Sequence, residues 1–160
     1  QAVDPIGVGL VEFAIVETPH HRAVGRGEFS DSPGQRHLVP IIRIDEQSGE
    51  AEALGLDAAR LAPGSPMPDQ TTRNLFTDST ERFFSGIWSS TRGAWRVSYT
   101  ENELCVLTQG SIRITDDAGR SWTFGPGECF VVPAGFQGVW EVLEDARKFY
   151  AIFEPPTGER

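Results

Sequence analysis

From about residue 73 onward the chain alternates short apolar–polar runs with glycine-bearing turns. "RFFSGIWSS", "GAWRVSYT" and "ELCVLTQGSIRIT" each carry the two-residue period of a half-buried strand. "DDAG" (Asp116 to Gly119) is a hairpin turn signal, because Asp and Gly accept the backbone angles a tight turn needs. "RSWTFGPGECFVVPAG" supplies two more short strands around Gly125-Pro126-Gly127, and "GVWEVLE" and "ARKFYAIFE" close the series. Strands spaced by about 8–12 residues, with little helical pattern, predict an antiparallel barrel or sandwich. The first 68 or so residues are less regular. "VEFAIVE" and "HLVPIIRID" read as short strands, "EAEALGLDAARLAPG" as a short helix or turn, and "PGSPMPDQTT" as a loop.

A chain of 160 residues is enough for one core and too short for two. No internal repeat suggests a second barrel. The expected organisation is an N-terminal extension over 1–70, packed on the barrel or on a partner subunit. A barrel over 71–154 and a tail over 155–160 follow. Seventeen glycines and eleven prolines fit a structure rich in turns. The net charge of −9 repels phosphate backbones and anionic bilayers, so neither nucleic acid nor membrane is an expected partner. The N-terminal segment has no basic region ahead of its apolar stretch, and Cys105 and Cys129 are too few for a disulfide framework. The expectation is a cytoplasmic protein with free thiols.

"ENELCVLTQG" and "GECFVVPAGFQGVWEV" carry more specific information. Glu103 stands seven residues before Gly110, and Gly127, Pro133 and Gly135 keep a G-xxxxx-P-x-G spacing. These pieces resemble half of each of the two motifs of the cupins, small double-stranded β-helix (jelly-roll) barrels. Gly86 to Trp88, the Tyr99-xxx-Glu103 pair, Trp140 and Arg147-Lys148 are similar to a narrower group. That group includes the ethanolamine-utilisation cupins and (S)-ureidoglycine aminohydrolase-type domains. The resemblance covers about residues 74–154. It implies an all-β, RmlC-like jelly-roll fold and weakly favours nitrogen metabolism.

Metal-binding cupins hold their ion with three histidines and the glutamate of the first motif. Aligned on those motifs, the histidine positions fall on Val97, Tyr99 and Gly138, and Glu103 alone matches. One carboxylate does not hold a transition metal tightly, and Val and Gly offer no lone pair. His20, His21 and His37 all lie far upstream. No metal and no cofactor are expected.

If the histidine positions point into the barrel, so do their replacements. Alternation then turns Trp95, Val97 and Tyr99 inward, with Glu103, Cys105 and Leu107, and with Gly138, Trp140 and Val142. With Trp88, Phe136 at the rim and Lys148, these define the expected ligand pocket. Glu103 and Tyr99 are the candidate acid–base groups, though a structural ion pair or a Tyr99–Glu103 hydrogen bond serves the same residues. Lys148 or Arg96 is the candidate cationic partner of Glu103. Cys105 has no histidine nearby in sequence, which argues against a Cys–His nucleophile. Two functions stay open: a metal-free cupin, expected as a homodimer, that binds a small polar or nitrogen-containing metabolite near Glu103, or a metal-independent enzyme using Glu103 and Tyr99.

Overall fold

The computed structural model describes residues 39–156. Eight strands run in chain order: β1 (Glu52–Leu54), β2 (Gln70–Thr77), β3 (Phe83–Ser90), β4 (Gly93–Ser98), β5 (Asn102–Asp116), β6 (Ser121–Phe124), β7 (Cys129–Val132) and β8 (Gln137–Phe153). One 3₁₀ turn, Ala58–Arg60, is capped by the Asp57 carboxylate, which accepts from Ala59 N at 2.9 Å. Among the described residues no helix is long and apolar enough to cross a membrane.

Two long strands organise the fold. The C-terminal half of β8 pairs with β3 on one side and with the first half of β5 on the other. The N-terminal half of β8 pairs with β4 and with the second half of β5. β7 then extends β5 near Glu103, whereas β6 extends it near Ile114. One face is therefore β1-β2-β3-β8-β5-β7 and the other β4-β8-β5-β6, with β5 and β8 common to both. All pairings are antiparallel, the arrangement of a jelly-roll barrel.

The strands bend where their register shifts, between Leu107 and Ile112. Glu103, Cys105 and Leu107 point inward before the bend; Ile112 and Ile114 do so after it. The inward set thus changes from odd to even numbers. Gly110 sits in this irregularity with φ 78°, and a Cβ there would lie 2.6 Å from the Glu144 carbonyl oxygen. Only glycine accepts both the angle and the crowding. At the β5–β6 hairpin, Asp116 makes the turn its sequence signalled: its carboxylate accepts from Ala118 N at 3.0 Å and Arg120 N at 2.8 Å.

The core gathers Trp88, Trp95, Val97, Leu107, Ile112, Ile114, Trp140 and Val142 from both faces. Four expectations need correction. "EAEALGLDAARLAPG" is not only a helix or turn, because β1 precedes its 3₁₀ turn and pairs with β2. "PGSPMPDQTT" is not a loop throughout, because β2 begins at Gln70 and joins β1 to β3. "GVWEVLE" and "ARKFYAIFE" are one strand, since β8 continues through the exposed pair Glu144-Asp145. The described part of "HLVPIIRID" forms no strand, with Val39 and Ile41 exposed and without a ladder partner. "VEFAIVE" lies outside the described residues.

Replacing Gly110 with alanine forces a left-handed angle on a residue with a Cβ and drives that carbon into backbone oxygens. A loss of about 2 kcal/mol or more is expected. Thermal unfolding should show it as a melting temperature at least about 4 °C lower.

Candidate functional site

Three side chains, from β5, from β8 and from the end of β4, meet inside the barrel. Lys148 on β8 donates to Glu103 Oε1 at 2.6 Å, and Tyr99, just past β4, donates to Glu103 Oε2 at 2.9 Å. Lys148 Nζ also lies 3.3 Å from Cys105 Sγ. Glu103 and Lys148 are each 0% exposed and Tyr99 2%. The ammonium sits 4.5 Å from the Trp140 ring centroid and 5.1 Å from that of Trp88, within cation–π range of both. Trp88 is fixed in turn by its Nε1, which donates to Gln70 Oε1 at 3.1 Å.

Burial alone would weaken the Lys148 ammonium. The Glu103 carboxylate, with the hydrogen bonds the ammonium donates to it and to the Cys105 sulfur, outweighs that effect, and its pKa lies above the ordinary lysine value of 10.5. Burial drives Tyr99 well above the ordinary phenol value of 10.0, with the Glu103 charge adding to it. The phenol stays a donor. Burial also lifts the Cys105 thiol far above the thiol range, so it stays S–H. Glu101, 5% exposed, is a second enclosed carboxylate; burial raises it, against the two hydrogen bonds it accepts from Thr100.

The expected cationic partner of Glu103 is therefore Lys148. Arg96 is exposed and pairs with Asp117 at 2.8 Å. The sequence did not separate the two: Lys148 is the chain's one lysine, among thirteen arginines, but only the contact between β5 and β8 selects it. Trp88, Trp95, Val97, Tyr99, Glu103, Cys105, Gly138, Trp140 and Lys148 all lie inside the barrel as packed wall and core, each at most 5% exposed where a value exists for it and Gly138 buried. Gly138 does not open space: a Cβ there would overlap the Thr115 carbonyl oxygen and lie 3.0 Å from Phe136 Cζ. The Phe136 ring occupies the room a side chain at 138 would need.

These residues do not fit a divalent cation. Val97 and Gly138 face each other across β4 and β8 without a donor atom, and an ammonium already holds the Glu103 carboxylate. A metal beside Lys148 would set two cations against one carboxylate. Among the described residues, no three His, Cys, Asp or Glu side chains are grouped to hold an ion. His20, His21 and His37 lie outside the described residues.

Beside β6 and β7, which both pair with β5, the barrel opens into a cavity of about 300 Å³. Ile114, Trp122, Phe124, Phe130, Val131, Val132, Pro133 and Phe136 line it, with Asp116 and Arg120 at one end. Of the expected pocket residues, Phe136 belongs to this lining. Trp122, Phe124 and Phe130 were not anticipated, because β6 and β7 continue different faces of the barrel and meet only in three dimensions. Phe124 and Phe130 stack at 3.9 Å with their planes 13° apart. Phe136 connects the two regions, since its ring packs edge-on against Tyr99 at 6.3 Å.

Replacing Lys148 with methionine strands the Glu103 carboxylate in the core, at a cost of about 3–5 kcal/mol. That corresponds to a fall of roughly 10 °C in Tm, partly recovered when Glu103 is also replaced by glutamine. Lys148 and Tyr99 hold their protons more tightly folded than unfolded. Their contribution is complete below about pH 10 and is lost as pH rises through the folded values. Tm measured from pH 7 to 11 should stay level for this pair and then fall, with the fall smaller in the double variant.

Comparison with known proteins agrees with this architecture. Residues 77–150 match the family model described as the EutQ-like cupin domain. A protein of unknown function from Pseudomonas syringae pv. tomato is 26% identical, with a TM-score of 0.61 over 68% of this chain and 46% of that one. The chain thus spans less than half the length of that relative. The EutQ protein of Clostridium difficile is 24% identical, with a TM-score of 0.50 over 63% of this chain and 81% of its own. A putative ethanolamine utilization protein Q from Salmonella typhimurium shares the fold at 10% identity, with a TM-score of 0.50 over 68% and 99% of the two chains. No curated protein matches the chain. The motif halves, the jelly-roll pairing and the family match together make residues 77–150 a region similar to the EutQ-like cupin domain, on a cupin-type β-barrel fold.

Proposed function

We propose that this cupin binds a small organic metabolite, without a metal, at the barrel mouth between β6 and β7. The observation that carries this reading is the apolar cavity of about 300 Å³, separated from the enclosed Tyr99–Glu103–Lys148 set by the Phe136 ring. Its volume is at the lower end of small-molecule sites, about 300–1,000 Å³. The apolar lining takes the body of the ligand, and the polar set behind Phe136 gives the site a direction. The ethanolamine-utilisation name of a structural neighbour makes nitrogen-bearing metabolites the first class to screen.

Acid–base catalysis by Glu103 and Tyr99 has less support. Both oxygens of Glu103 already accept hydrogen bonds, and the elevated Tyr99 pKa makes the phenol a donor rather than a base. A substrate proton passing to Glu103 would have to compete with the Lys148 and Tyr99 protons already bonded to it.

The test is a thermal-shift and calorimetric screen of small amines, amides and aromatic metabolites against two proteins. Val131 lines the cavity but is 60% exposed, so Val131→Trp fills the mouth with little demand on the core. A ligand of the proposed site should raise the Tm of the parent protein and lose at least about tenfold in affinity in the variant. Equal binding to both proteins would place the ligand elsewhere.

A further inference from the structure

Two apolar features stand uncovered among the described residues. One is a stripe on the outer face of β3, β8 and β5, opposite the core. Phe83 stands across from Phe153, and Leu104 lies diagonal to Phe153 because its direct partner on β8 is Ala151. These three side chains are between 38% and 47% exposed. The other is the segment 39–42, in which Val39 is 86% and Ile41 96% exposed. Its β-branched residues suit a strand, yet it has no ladder partner among the described residues. The residues that follow it are pinned to the barrel's outer surface. Arg147 of β8 pairs with Glu46 at 2.6 Å, and Arg73 of β2 donates to the Gly49 carbonyl at 2.7 Å. Alternation puts Arg147 and Phe153 on the same side of β8, so the root of the arm and the stripe share one face.

We infer that this face is where a second copy of the chain docks, each copy laying residues 39–42 on the apolar stripe of the other. The inference goes beyond the ligand reading and does not depend on it. Arm and stripe belong to one face, so a single twofold axis through that face forms both arm–stripe contacts at once. The charge fits. A chain of net charge −9 repels its own copy, so contact is favoured where charge is absent. Ser85, Asn102 and Ala151, which complete the stripe, carry none, and neither do the four arm residues. The area fits as well. Arm and stripe together expose roughly 600 Å² of apolar side chain per copy, with a whole side chain taken at about 170 Å². A stable dimer buries about 800 Å² per partner, about 65% of it apolar.

Sedimentation of the full chain should show a dimer. Ile41→Asp changes a side chain that lies in water in the single chain, so it should weaken the dimer at least about tenfold. The melting temperature of the dilute, monomeric protein should not move. The contact itself is read by mixing Ile41→Cys chains with Leu104→Cys or Phe153→Cys chains and oxidising with diamide. All carry Cys129→Ser, which removes the exposed native thiol. A disulfide joining position 41 of one chain to position 104 or 153 of another, identified by peptide mass, is the expected product. A parent that stays monomeric, or an Ile41→Asp variant that dimerises as tightly as the parent, would overturn the proposal. So would the absence of a mixed bridge at both positions, or a bridge that closes within one chain in the Ile41→Cys/Leu104→Cys double variant.

Discussion

A lysine ammonium bonded to a carboxylate, with neither touching water, governs what the rest of this barrel must be. Removing two charges from water is costly, and the cost is met only when geometry and surrounding donors are right. The barrel supplies them from both of its long strands: Glu103 and Cys105 lie on β5, Lys148 on β8, and Tyr99 joins from the end of β4. Two tryptophan faces complete the enclosure and favour the cation further. The pair has the effect of a rivet. β5 and β8 belong to both faces of the barrel, so fixing one to the other at Leu107–Lys148 and Glu103–Ile152 fixes the two faces together.

The arrangement also divides the interior in two. Around Lys148 the space is filled, and its polar groups largely satisfy one another. Toward β6 and β7 the wall becomes aromatic and open, and the surface there is made by the side chains nearest the barrel's free edges. Phe136 and Phe130 form the boundary, each touching a buried residue on one face and the cavity on the other. A site built this way recognises shape and one or two hydrogen bonds rather than charge. That is a different vocabulary from a barrel whose centre is a metal ion.

Much of the inward face was legible in the sequence because a two-residue period needs no tertiary information. Trp95, Val97 and Tyr99, then Glu103, Cys105 and Leu107, follow it, and all are buried. The rest depended on events that break the period or join distant segments. β2 begins in a proline-dense, polar stretch and is a strand because β1 and β3 flank it. The charged Glu144-Asp145 pair resembles an interruption, although β8 passes straight through it with those side chains in water. Lys148 was legible as a partner of Glu103 only as one of two cations, and the choice needed the cross-strand contact. The cavity was hidden for the plainest reason, since its walls come from strands that continue different faces.

The bend at Gly110 has a consequence for how such a sequence can change. Upstream of it, odd-numbered residues of β5 face the core; downstream, even-numbered ones do. A single-residue insertion or deletion between Leu107 and Ile112 would exchange those roles for the remainder of the strand. Ile112 and Ile114 would turn to solvent, and Arg113, now bonded to Glu141 on the surface, would be driven inside. Substitutions can accumulate one by one on either side of this point, but changes in length cannot. The spacing from Glu103 to Gly110 is therefore a counting constraint, set by the bend and independent of which side chains stand at Val97, Tyr99 and Gly138.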